Sequence, residues 1–225
     1  DKKKMVLKVN YQDIIEFIHE IIESFEFIAN NRNISLKLHF EEAELITWFS
    51  QDAIEKVLNN LISNAFKFTP DNGKIDIVVK NIDAVIDGKL ASCLKIIVKD
   101  NGSGISPKSL DKIFDRFFND DSAENRNSYS MGIGLALTQS LVQLHHGSIY
   151  AESNDKGTNF VITIPKDFDY YKSDKIIESQ SFAKGDLLPD ILEKSQKIIE
   201  EASALDNKQS KNSEIDILIV EDNLD

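Results

Sequence analysis

Between Tyr11 and Phe27 the apolar positions are Ile14, Ile15, Ile18, Ile21, Ile22 and Phe25. That spacing lines one face of a helix. Residues 1–9 before it predict a short strand. Leu36, Leu38 and Phe40 alternate with polar neighbours, as a half-buried strand does, and residues 46–49 give a second extended run. Ile54, Val57, Leu58, Leu61, Ile62, Ala65 and Phe66 form another helical stripe. It predicts a helix over 52–68, with Asp52 and Glu55 at capping-box spacing. Pro70 and the turn Asp71-Asn72-Gly73 end it.

Two strands follow, at 75–80 and 94–100, separated by a loop around Asp87-Gly88. Residues 101–131 are irregular, with one helical piece near 110–118. A helix is predicted over 134–145, then strands at 148–153 and 160–165 joined by a turn at 154–157. Residues 1–166 therefore predict one mixed α/β domain. The composition then shifts to Lys, Asp, Glu, Ser and Gln. Residues 167–213 are expected to be a linker with a helical segment near 191–199. Residues 214–225 start a new apolar strand that ends in Glu221-Asp222.

The chain has 225 residues, 41% of them hydrophobic, which is enough for a core, and its net charge is −12. Such a balance argues against nucleic acid as the main ligand, since phosphate backbones are held by clustered Lys and Arg. A single cysteine, Cys93, excludes an internal disulfide and fits a reducing compartment. No run of about 18 apolar residues is present. The abrupt start and end suggest an excised fragment.

Three stretches carry candidate chemistry. On the 52–68 helix, Asn60, Asn64 and Lys67 fall along one edge of the apolar stripe. Their amide oxygens suit a hard cation such as Mg²⁺, and Lys67 suits a phosphate; a solvated helix edge would show the same spacing. Asp100 ends a strand face whose other members, Leu94, Ile96 and Val98, are apolar, so its carboxylate needs donors. Asn101-Gly102-Ser103-Gly104-Ile105 follows, where glycines permit close backbone approach; an Asp-capped hairpin is the plain alternative. Gly132-Ile133-Gly134 opens a helix, whose first N–H groups face outward toward an anion. It lacks the third glycine of a dinucleotide fingerprint.

Taken in order, NNLISNAFKFTP, DNGSGI, IFDRFF, Gly132-Ile133-Gly134 and Gly157-Thr158-Asn159-Phe160 resemble the N, G1, F, G2 and last-glycine boxes of histidine kinases. These belong to the ATPase superfamily shared with DNA gyrase and heat-shock chaperones. The resemblance implies the Bergerat fold: a two-layer α/β sandwich with a mixed sheet and helices on one face. It implies ATP and Mg²⁺ as cofactors, with Asn64 on the metal and Asn60 beside the phosphates. Asp100 would recognise adenine. Gly102, Gly104, Ile105, Gly132, Gly134, Leu135 and Thr158 would bind the nucleotide, the Thr158 hydroxyl near phosphate. Lys67 and Arg116 would neutralise charge during transfer, beneath a mobile lid over residues 119–131 that includes Arg126. Ser130 stands where many members have a further glycine.

The implied reaction passes the γ-phosphoryl group of ATP to a histidine on an upstream dimerisation domain. Hydrolysing relatives carry a Glu where this chain has Asn60, and an amide cannot act as general base. A gyrase-like ATPase and a degenerate docking module are the competing readings. ILIVEDNLD resembles the first strand of a receiver domain, with Glu221 and Asp222 near Mg²⁺; a hybrid sensor kinase, homodimeric, membrane-anchored and cytoplasmic in this part, would follow. His145-His146-Gly147 is read as a helix end rather than a metal site. His19 sits in Ile18-His19-Glu20-Ile21, an echo of the phospho-accepting box that lacks the Arg-Thr-Pro expected after it. It is read as the flank of an amphipathic helix. Incubated with radiolabelled ATP, this chain alone should form no stable phosphohistidine; label lost on His19→Ala would reverse that assignment.

Overall fold

The computed structural model describes residues 7–118 and 132–172, and the backbone of 175–176. The expectations for 1–6, 119–131 and 177–225, including Arg126, Ser130, Glu221 and Asp222, lie outside the described residues.

The first strand, β1 (Lys8–Asp13), runs past its expected end and takes Tyr11 to Asp13 from the predicted helix. That helix is split into α1 (Ile14–Glu23) and α2 (Glu26–Asn31). Asp13 explains the start: its carboxylate accepts the Ile15 N–H at 2.9 Å and the Leu45 N–H at 3.0 Å. Ser24 ends α1, its hydroxyl donating to the Ile21 carbonyl at 2.6 Å. His19 is exposed on α1, beside Phe40.

β2 (Ser35–Phe40) and β3 (Ile46–Phe49) follow as expected, then α3 (Gln51–Phe68). The capping box does not form: Ser50 occupies the cap position and makes no side-chain cap. Instead the Ser50 N–H reaches His145 Nε2 at 3.2 Å, a partner distant in sequence. β4 (Lys74–Ile86) and β5 (Lys89–Asp100) are longer than predicted. They form one hairpin through Asp87-Gly88, where both residues take positive φ, 50° and 76°. The regular helical piece is α4 (Pro107–Leu110), earlier and shorter than expected. α5 (Gly134–Leu144), β6 (Ser148–Asn154) and β7 (Gly157–Pro165) match closely.

The main sheet has the order β2-β4-β5-β7-β6 and is mixed, since β2 runs parallel to β4 while the other pairs are antiparallel. Ile75, Ile77, Leu94, Ile96, Val98, Phe160 and Ile162 form its buried face. Ile54, Val57, Leu58, Leu61 and Ile62 of α3 belong to the same core. Burying each such side chain contributes roughly 1.5–3 kcal/mol. A second, small sheet has the order β3-β1-β8, where β8 is Lys175–Ile176. A 3₁₀ turn (Phe168–Tyr171) precedes it, and Tyr171 is fully buried. Its hydroxyl donates to the Pro165 carbonyl at 2.8 Å. These residues of the expected linker are thus part of the fold; one buried aromatic within a polar stretch gave no periodic signal. No described helix is long and apolar enough to cross a membrane.

Arg32 secures the end of α3. Its guanidinium donates to the Phe66 carbonyl at 2.5 Å, the Thr69 carbonyl at 2.7 Å and Asp71 at 2.7 Å. Terminal helix carbonyls lack partners within the helix, and a planar fork can serve several at once. Arg32→Ala should lower unfolding stability by about 2 kcal/mol, and Arg32→Lys should recover only part of it in urea titrations.

Candidate functional site

The site is assembled where α3, α5 and the ends of β5, β6 and β7 meet. Asp100 closes β5 on its buried face, as the alternation predicts, and is 6% exposed. Burial pushes its carboxyl above the ordinary value, opposed by two backbone donors. Both fall on Oδ1: the Gly102 N–H at 2.8 Å and the Thr158 N–H at 3.2 Å. Oδ2 receives no hydrogen bond among the described residues. The carboxylate therefore keeps one acceptor edge for a donor from outside.

Glycine is required around it for space. A Cβ at Gly102 would collide with the Phe68 carbonyl at the end of α3, and one at Gly157 with the Asp100 carbonyl. Gly104, at φ 74°, lies against the Asn154 carbonyl. These contacts bring the turn after β5 against both the Asn-bearing helix and the β6–β7 hairpin.

Ser153, which the sequence reading passed over, ties these parts together. Its hydroxyl accepts the Ile105 N–H at 2.8 Å and donates to the Gly157 carbonyl at 3.0 Å. It also meets Thr158 Oγ1 at 3.0 Å. A serine hydroxyl has one hydrogen. With that hydrogen on Gly157, the Thr158 hydroxyl donates to Ser153. Thr158 thus belongs with Asp100 and Ser153.

On α3, Asn60 is half-buried and its Nδ2 donates to Thr138 Oγ1 at 2.9 Å. Thr138, one turn into α5, is 1% exposed and is a second residue the sequence reading missed. Gly134, the first residue of α5, packs directly on the Asn60 amide, and a Cβ there would collide with Oδ1. The structure thus joins the predicted Asn and the predicted helix-opening glycine. Asn64, one turn on, is half-buried and makes no hydrogen bond among the described residues. Lys67 is exposed, with its ammonium 5.2 Å from the Phe68 ring. Leu135 packs against the core.

Gly132, at φ 61°, lies against the backbone of Phe117 and Phe118, and its carbonyl accepts the Phe117 N–H at 3.0 Å. Arg116 makes no hydrogen bond to Asn60 among the described residues. It is exposed and lines a groove of about 590 Å³ with Phe117, Ile133, Leu137, Ser140 and Leu144. His145 is fully buried at the end of α5. Nδ1 bonds the Leu141 carbonyl at 2.9 Å while Nε2 accepts the Ser50 N–H, so both ring nitrogens serve helix ends. No group of three His, Cys, Asp or Glu suited to a metal occurs among the described residues.

Comparison with known proteins places this arrangement. Residues 49–167 match the family model described as histidine kinase-, DNA gyrase B-, and HSP90-like ATPase. The sensor histidine kinase WalK of Bacillus subtilis (strain 168) is 35% identical over 166 residues, 73% of this chain and 26% of that protein. The sensor histidine kinase CusS of Escherichia coli (strain K12) is 27% identical over 165 residues, 73% of this chain and 32% of that protein. The chain thus spans about a quarter to a third of the length of these curated relatives. The nucleotide-free catalytic domain of the histidine kinase ThkA superposes with a TM-score of 0.60 at 26% identity, covering 70% of this chain and 97% of that one. The match starts at Phe49, the last residue of β3, and ends at Asp167, so it takes in Asn60, Asp100, Gly134, Ser153 and Thr158; this chain belongs to the family of histidine kinase-, DNA gyrase B- and HSP90-like ATPases.

Proposed function

We propose that this chain is the ATP-binding catalytic domain of a sensor histidine kinase and directs the γ-phosphoryl group of Mg-ATP to a histidine on a dimerisation domain. The observation that carries the reading is Asn60 packed against the first residue of α5. A helix start offers unpaired N–H groups and positive potential to phosphate. The side chain facing it is an amide, which takes up no proton from water at neutral pH. That favours a protein nucleophile over hydrolysis, and so disfavours a gyrase-like ATPase.

The residues fit the nucleotide. Asp100 Oδ2 suits the adenine amino group, which would relieve the cost of its burial. Asn64 leaves its amide free of hydrogen bonds among the described residues and one turn from Asn60, where an oxygen ligand can meet Mg²⁺ alongside phosphates. ATP supplies the transferable phosphoryl group; the chain supplies position and charge neutralisation. In a chain of net charge −12, that neutralisation falls to Asn64-held Mg²⁺, Lys67, Arg116 and the N–H groups of Gly132 and Gly134.

The α5 groove supports a partner. Leu137 and Ile133 are 43% and 42% exposed and Phe117 is 73% exposed, so their apolar surface suits an amphipathic helix. We assign it to the helical hairpin that bears the acceptor histidine, with Arg116 at the rim facing the transferred phosphoryl group. The ILIVEDNLD string supports a following receiver domain and hence a hybrid, homodimeric kinase acting in the cytoplasm.

Asn64→Ala should abolish the Mg²⁺-dependent part of ATP affinity, and Asp100→Asn should lower the preference for adenine over guanine nucleotides by about tenfold. Calorimetry measures both, and unchanged affinities would remove the assignment. Leu137→Glu should slow phosphotransfer to the separately supplied hairpin by about tenfold or more, with ATP affinity unaltered in the same titration.

A further inference from the structure

Asp100 Oδ1 is held by two N–H groups that come from different segments. Gly102 belongs to the turn after β5, and Thr158 to the hairpin between β6 and β7. The carboxylate keeps its setting, with Oδ2 left over, only while these segments stay in register. Where they touch otherwise, glycine meets carbonyl: Gly104 against Asn154, and Gly157 against Asp100. Such contacts limit distance but give no direction. The Ser153 hydroxyl supplies direction. It takes the Ile105 N–H from the turn and gives its hydrogen to Gly157 in the hairpin. It also receives the Thr158 hydroxyl, across from it in the strand pairing. Hydrogen bonds are strongly angle-dependent, whereas glycine packing is not.

We infer that Ser153 is a positioning residue for purine selection: its hydroxyl locks the 101–105 turn to the β6–β7 hairpin and so fixes the Asp100 carboxylate that discriminates the base. The inference rests on Asp100 reading adenine. Removal of the hydroxyl leaves the Ile105 N–H and the Thr158 hydroxyl without this partner. The hairpin stays paired to β5 as far as Lys99 and Asn159, but the turn loses its hydrogen bond to it, and Oδ2 presents to adenine and guanine with less contrast. A purely structural serine would weaken binding of both bases equally.

The 225-residue chain is titrated with Mg-ATP and Mg-GTP, and the ratio of the two dissociation constants is read. Ser153→Ala should reduce that ratio about tenfold, while Ser153→Thr, which retains the hydroxyl, should stay near the parent value. Should Ser153→Ala fail to fold, Ser153→Cys fills the same space with a weakly bonding thiol and should lower the ratio in the same sense. Equal weakening toward both nucleotides, or an unchanged ratio, overturns the role given to Ser153. Asp100→Ala is the control. If it retains the adenine preference, the reading of Asp100 itself falls; if it loses the preference while Ser153→Ala and Ser153→Cys keep it, only the Ser153 inference falls.

Discussion

A carboxylate placed at the end of an otherwise apolar row sets the terms for half of this site. Leu94, Ile96 and Val98 are fully buried, and Asp100 continues their face. Water cannot freely satisfy a charge there, so the backbone must. The turn after β5 bends back to bring the Gly102 N–H, and the hairpin arrives to bring the Thr158 N–H. Glycine at 102, 104 and 157 follows from the closeness of that approach. These three glycines are thus consequences of solvating one buried anion.

The other half depends on how two helices meet. α3 and α5 are held at one level by Asn60 on Thr138 and at another by the Ser50 N–H on His145. Arg32 adds a clamp at the far end of α3. Each contact joins residues remote in sequence. Apolar stripes bring the helices together but tolerate sliding; directional bonds select one relative setting. That setting puts Gly134 on the Asn60 amide.

Much of this was legible beforehand. Alternation along β5, the stripe on α3 and the glycines before α5 located the strands, the helix and most candidate residues, because each signal is periodic or conformational. What was not legible arises from distant partners. Ser153 and Thr138 are ordinary polar residues in strand and helix, and their roles appear only once Ile105 and Asn60 arrive beside them. The capping box at Asp52 and Glu55 does not form because the helix starts at Gln51, ahead of Asp52. Tyr171 hid in a polar stretch although it is fully buried. The apolar groove that Arg116 lines with Ile133 and Leu137 likewise carried no periodic signal, since its walls come from separate segments.

The junction between Phe117 and Gly132 carries a consequence for how such chains vary. Both residues take left-handed backbone angles, φ 66° and 61°, and one hydrogen bond links them at 3.0 Å. Phe117 and Gly132 are therefore fastened to each other whatever the length of chain between them. Loop-closure entropy grows only logarithmically, roughly 0.6 kcal/mol for each doubling of length. Changes in the number of residues between these two points therefore carry little thermodynamic expense of closure, while α5 keeps its starting point.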